Sequence, residues 1–327
     1  MNRRELLTML CGAPLLCGTI GTKAQTAKSV RRIGLVSGGV RPDAAEYQLV
    51  WAPTRQLGWV EGKNLIIERR YAAGKLASLD ALVEELLRLP VELIVTNGSP
   101  ATLAAKNATT RIPIVMLSAY DPVGGGLVAS LARPGGNITG FYTGSADLDA
   151  KRLALLHELL PTAERIGVLV NPSDPHYAAV RNENDRVYQS LGMHPTYIEV
   201  TTVAGFENAV AEAAQRRAQA LVVTGSPLFN QNGSAIMGAA LRHTLPAIVG
   251  DEDLLNAGGL LSLSVDPGEV YRVLAYCIDK ILRGAKPADI PVQQPSKFVL
   301  SINLKTAETL GIAIPHSLLL RADEVIR

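Results

Sequence analysis

Two phrases of the chain nearly repeat one another: "VTNGSPAT" from Val95 to Thr102 and "VVTGSPLF" from Val222 to Phe229. Each closes an apolar run and opens a stretch with helical spacing. A serine followed by proline at such a corner has two chemical readings. As a cap, the hydroxyl satisfies an orphan helix N–H, and the proline fills the first helical position, where its fixed φ and missing N–H cost nothing. As a binding corner, the hydroxyl and the free N–H groups of the helix end hold a ligand's negative charge. A serine nucleophile fits neither phrase. Neither reads Gly-x-Ser-x-Gly, and the proline that follows lacks the backbone N–H that an oxyanion hole takes from that position.

The remaining chemistry-bearing residues also fall short of an active site. The five histidines, His157, His176, His194, His243 and His316, have no metal-ligand spacing, and His157 lies inside the helical pattern "KRLALLHELL". The glycine-rich stretch from Tyr120 to Gly140 lacks the Gly-Lys-Ser/Thr ending of a Walker loop and does not match the dinucleotide fingerprint. No catalytic residue, metal or cofactor is predicted.

The elements that must carry the two phrases alternate between strand and helix. "RRIGLVS", "NLIIERRYA", "VELIVTNG" and "IPIVMLSA" read as strands, with "LDALVEELLRL" as a helix between them. After Gly140 the order restarts with "RIGVLV", "PTYIEV", the helix "FENAVAEAAQRRA", "ALVVTG" and "LPAIVG". The distances from Ile33 to Ile94 and from Ile166 to Leu221 are comparable, so the plan is duplicated. This predicts an α/β fold of two Rossmann-like lobes with parallel sheets. In both lobes Gly-Ser-Pro stands at the carboxyl end of the third strand, where open parallel sheets collect ligand-binding groups.

Composition narrows the class further. With 327 residues, 47% of them hydrophobic, the chain can bury two moderate cores. A net charge of +2 without a Lys/Arg block gives no footprint for nucleic acid. Residues 1–27 have the layout of a secretory signal peptide: Arg3 and Arg4, an apolar stretch from Leu6 to Ile20, then small and polar residues. That stretch is short of the ~20 residues of a spanning helix and is broken by Pro14. The start also resembles a twin-arginine signal, so a periplasmic location is expected, by either export route. Leu10 and Leu16, before Cys11 and Cys17, disfavour a lipid anchor. Cys277 remains in the mature chain, in an apolar helical pattern that predicts a buried thiol.

The segments "GWVEGKNLIIERRYA", "DPVGGGLVASLARPGGNITG", "NAGGLLS", "DKILRGAKPADIPVQQPSKFVLSINLKTAETLGI" and "IPHSLLLRADEVI" follow in order along the chain. Together they resemble a family of extracytoplasmic solute-binding proteins of ABC transporters, similar to type I periplasmic binding proteins, with relatives that bind aromatic amino acids. The resemblance implies two lobes joined by a hinge that close on a small-molecule ligand, and an ABC transporter permease as partner and sole membrane contact. On this plan lobe 1 covers 31–142 and lobe 2 covers 143–266, while 267–327 returns to lobe 1 and crosses the hinge. Two other readings stay open: a two-lobed enzyme resembling a glycosyltransferase, and a periplasmic ligand sensor without transport. A transcription factor on the same body would need a helix-turn-helix where the signal peptide stands.

The expected solute is an amino acid or another small carboxylate, gripped from both lobes. Ser99 would accept the carboxylate, helped by Ser37 and Ser118, while Thr224, Ser226 and Asn171 complete the clamp from lobe 2. Asp251 or Glu252 would meet an ammonium, and Tyr120 and Phe229 would be apolar walls. Leu263 stands where many relatives place a tyrosine after the Ala-Gly-Gly turn, which predicts a missing aromatic surface and a smaller or more polar solute.

Overall fold

The computed structural model describes residues 30–144, 146–174 and 177–327. The signal-peptide expectation, with Cys11 and Cys17, lies outside these residues. Lobe 1 contains β1 (Arg31–Ser37), α1 (Ala44–Gln56), β2 (Leu65–Tyr71), α2 (Leu79–Leu87), β3 (Leu93–Asn97), α3 (Ser99–Ala108), β4 (Ile114–Tyr120) and β5 (Ile138–Gly144). Its sheet runs β2-β1-β3-β4-β5 and every pairing in it is parallel. The strands form from short β-branched runs apolar on both faces, as a parallel sheet covered by helices on both sides requires. On one face Val36, Ile94, Ile114 and Met116 pack with Val83, Leu86, Ala101 and Ala105 of α2 and α3.

The chain then builds α4 (Ala146–Leu159), β6 (Arg165–Val170), α5 (Tyr177–Ser190), β7 (His194–Glu199), α6 (Phe206–Gln215), β8 (Ala220–Val223), α7 (Pro227–Asn230), α8 (Gly233–Arg242), β9 (Ala247–Val249), α9 (Glu252–Asn256) and β10 (Leu261–Val265). It continues through α10 (Pro267–Leu282), β11 (Phe298–Asn303), α11 (Leu304–Leu310), α12 (His316–Arg321) and β12 (Glu324–Ile326). The second sheet runs β12-β11-β10-β9-β8-β6-β7. It departs from the all-parallel expectation at one place: β11 pairs antiparallel with β10, because the chain re-enters this sheet at the same end at which it left, Phe298 lying opposite Val265.

That excursion is α10. Asp266 caps it by accepting the Gly268 N–H at 3.1 Å, and Pro267 opens it. Its stripe of Val270, Leu274, Cys277, Ile278 and Ile281 packs with Ile33, Leu93, Val95, Val115 and Leu117 on the second face of the lobe 1 sheet. Cys277 is wholly buried there and burial pushes its thiol up to about 12, so it is an inert core residue. After α10, Gln293 bonds the edge of β5 through Gly140 and Tyr142, and the chain crosses into β11. The crossings at 265–267 and 294–298 are stitched together: Glu269 accepts N–H groups from Ser296 and Lys297 and the Ser296 hydroxyl.

One irregularity shapes the lobe 1 rim. The β4–β5 ladder shifts register after Met116, and Ser118 within it has φ +57. Opposite Met116 stands Gly140 at φ +136, where a β-carbon would fall 2.1 Å from the Met116 carbonyl oxygen. The bulge needs glycine there, and it re-aims the end of β4, carrying Ser118 and Tyr120.

Candidate functional site

The carboxyl ends of both sheets face a common cleft of about 740 Å³ between the lobes. Ser37, Ser99, Ser118 and Tyr120 line it from lobe 1, and Asn171, Thr224, Ser226, Asp251 and Glu252 from lobe 2. Phe229 does not. It is wholly buried and stacks edge-on against Phe206 with ring centroids 5.8 Å apart. The one turn of α7 after Ser226 swings it into the lobe 2 core, so the expectation of a Phe229 wall is corrected.

The hydroxyls at the two repeated corners do not cap their helices. Gly98, at φ +87, occupies the cap position of α3, and Ser99 is its first residue. Ser99 Oγ accepts the Tyr120 N–H at 2.8 Å instead, and Ser226 Oγ accepts Asn171 Nδ2 at 3.0 Å. Ser37 Oγ likewise accepts the Gly39 N–H at 3.0 Å. A hydroxyl that accepts from the protein keeps its own proton to give away. Ser37, Ser99 and Ser226 therefore present donors, the polarity that suits a carboxylate. Thr224 is the opposite case, since its hydroxyl donates to the Leu169 carbonyl at 2.8 Å.

The acidic rim belongs to both lobes. Asp251 caps α9, one oxygen accepting from the Asp253 and Leu254 N–H groups and the other from Asn230 Nδ2 at 3.0 Å. Burial, then neighbouring Asp253, holds its carboxyl above the usual value. Glu252 is exposed beside it and is raised by burial and by Glu324, Asp253 and Asp251. Across the cleft, Glu46 of α1 is raised by burial and then by Asp253, Asp43 and Asp251.

Sequence reasoning missed the helix faces that overlook the cleft. From α4, Arg152 Nη1 pairs with Asp149 Oδ1 at 2.7 Å while its Nε donates to the Leu263 carbonyl at 2.9 Å. From α5, Tyr177, Arg181, Asn184 and Tyr188 line the cleft. Their i, i+4, i+7, i+11 spacing is a single helical face, and that spacing was the available signal. Asn184 is only 7% exposed. Its Nδ2 donates to Asp149 Oδ2 at 3.5 Å, whereas its Oδ1 is buried with no hydrogen-bond partner. Tyr71, Tyr197 and Tyr271 also reach the cleft. The expected loss of an aromatic surface is thus overturned: Leu263 is a core residue, and tyrosines from other elements supply the rings. Among the described residues no group of three or more His, Cys, Asp or Glu could hold a metal ion, and no helix is long and apolar enough to cross a membrane.

Residues 50–326 match the family model described as ABC transporter substrate binding protein. The chain belongs to that family. The substrate-binding protein is 25% identical over 255 residues to a tyrosine-binding protein of Clostridioides difficile, covering 78% of this chain and 73% of the relative. A conserved domain protein of Vibrio cholerae superposes with a TM-score of 0.85 at 25% identity, over 91% of this chain and all of the other. An ABC domain from Streptococcus pneumonia in complex with L-Trp shares the fold, with a TM-score of 0.83 at 24% identity, 91% of this chain and all of that one. The substrate-binding protein thus works outside the cytoplasm, delivering a small ligand to an ABC transporter, and performs no catalysis of its own.

Proposed function

We propose that this substrate-binding protein captures an amino acid with an aromatic or other bulky side chain. The observation that carries the reading is the opposite polarity of two parts of one cleft. Ser37 and Ser99 offer hydroxyl protons beside the N-terminus of α3, a ten-residue helix, which suits the carboxylate. At the other part the buried, unpartnered Asn184 Oδ1 asks for a donor, which suits the ammonium, beside an Asp149 carboxylate already held by Arg152 and Asn184. Asp251 spends both its oxygens on its own lobe, so it serves as a rim charge rather than the direct ammonium partner. The tyrosines that line the cleft suit a ring, and the tyrosine- and L-Trp-associated relatives support the same class.

The test is a thermal-shift screen of amino acids, aromatic acids, nucleosides and sugars. A true ligand at 100 times its Kd adds about 2.7 kcal/mol of apparent stability. A response to sugars or nucleosides alone would discard the amino-acid reading. We also infer export by the leader at 1–27, by the general or the twin-arginine route, and docking on a permease. N-terminal sequencing of the native protein should find a start between Ala24 and Ser29; an intact Met1 would count against it.

A further inference from the structure

The lobes touch at a second place, beyond the edge of the solute cleft. Gly38 follows β1 in lobe 1, and a β-carbon built on it would lie 3.2 Å from Pro227 Cγ and 3.6 Å from Pro227 Cβ of lobe 2. Next to it, one turn on, the Gln231 amide reaches between Gly39 and Gly74 of lobe 1: a β-carbon on Gly39 would be 3.7 Å from Nε2, and one on Gly74 3.7 Å from Oε1. Gln231 Nε2 is buried there without a partner. The lobe 1 side is a firm surface, because Gly38 and Gly39 carbonyls accept the Gly74 and Ala73 N–H groups at 2.8 and 2.9 Å. Of these residues only Pro227 lines the solute cleft.

We propose that Gly38 and Pro227 form a closure seat that sets how far the lobes shut on any solute. Glycine at 38 leaves the space into which the proline ring settles, and the gap beyond is filled by Gln231. The two Gly-Ser-Pro phrases then have different duties: the proline of the first opens a long helix at the cleft, and the proline of the second bears on the facing lobe. Since Gly38 does not have a positive φ, a larger residue there would press on the side chains of Pro227 and Leu76, which must give way, rather than strain its own backbone. The seat acts on affinity through the population of the closed form. A tenfold fall in that population lowers apparent affinity tenfold for every solute alike.

Cross-linking reads the contact directly. The 3.6 Å between the two β-carbon positions is within the ~3.5–4.5 Å that a disulfide spans. In the full chain carrying Gly38→Cys and Pro227→Cys, mild oxidation should give a 38–227 disulfide by peptide mapping, and a radius of gyration that no longer responds to added L-tyrosine. Gly38→Val should expand the protein in scattering, and Pro227→Ala in the same chain should reverse most of the expansion. If Gly38→Val fails to fold, Gly38→Ala carries the comparison. Absence of the 38–227 disulfide when both single variants fold, or an unchanged radius in the folded position-38 variant, overturns the seat. Both readouts are taken without solute as well as with it, so failure to bind L-tyrosine would count against the proposed ligand class and leave the seat standing.

Discussion

The Tyr120 hydroxyl donates to Asp149 Oδ2 at 3.3 Å, and the bond runs from one lobe to the other. Tyr120 ends β4 of lobe 1, while Asp149 lies in the first helix of lobe 2, where it also takes Arg152 and Asn184. Closing the lobes therefore assembles the acidic end of the cleft, and the unfilled acceptor of Asn184 faces the place where a solute would complete it.

Asn184→Leu follows from this geometry. It removes a buried acceptor that has no partner, so the ligand-free protein should lose little melting temperature. Binding of the amino acid found by screening should weaken ten- to a hundredfold, the equivalent of about 1.5 to 3 kcal/mol for a hydrogen bond to a charged group. Calorimetric titration checks it; unchanged affinity would remove Asn184 from the site.

Ser99→Ala and Ser226→Ala test the repeated corners. Each takes away a hydroxyl donor and strands a protein donor, the Tyr120 N–H in one case and Asn171 Nδ2 in the other. Stability should fall by about 1 to 3 kcal/mol in denaturant titrations, and affinity by ten- to a hundredfold. If both variants bind as tightly as the parent, the corners organise their lobes and hold no solute.

The acidic rim makes closure depend on pH. Glu46 and Asp251 both hold their protons above the ordinary carboxylate range, so their ionised forms oppose the arrangement that brings them together. The penalty is fully present above the raised values, begins to lift as pH falls through them, and is gone only below the ordinary carboxylate values. Scattering on the ligand-free protein should show contraction on mild acidification. Glu46→Gln should be more contracted at neutral pH and respond less to acid. An equal response in parent and variant would clear Glu46 of the effect.

Glu269→Ala should loosen the stitch between two interlobe crossings. It removes the shared acceptor of Ser296 and Lys297, both exposed, so the stability cost should be about 1 kcal/mol after solvent screening. Amide exchange should quicken at 294–298 and stay unchanged in the β3 core. Unaltered exchange at Ser296 and Lys297 would show that the crossing is held by other groups.

The strands were legible in the sequence because each is a compact β-branched run ending in a turn, and their repetition disclosed the two sheets. The strand-end residues of the cleft were legible for the same reason: a parallel sheet always turns its carboxyl ends to one side. Asp149, Arg152 and Asn184 were not, since polar residues at helical spacing ordinarily face water, and only the docking of the lobes turns these faces inward. Phe229 misled because proximity along the chain to Ser226 says nothing of direction once a helical turn intervenes. The antiparallel β11 depends on where α10 releases the chain, which no local pattern encodes.

The helix that covers one face of the first sheet comes from residues 267–282, after nearly the whole second lobe. During synthesis Ile33, Leu93, Val95, Val115 and Leu117 must wait for it with their apolar surface open to water. The lobe made first is consequently covered only after most of the second has been made, and the amino-terminal half stays unable to lock into its native form until more than four-fifths of the chain exists. A chain cut just before residue 267 would keep both sheets' early strands and still leave that face of the first sheet bare.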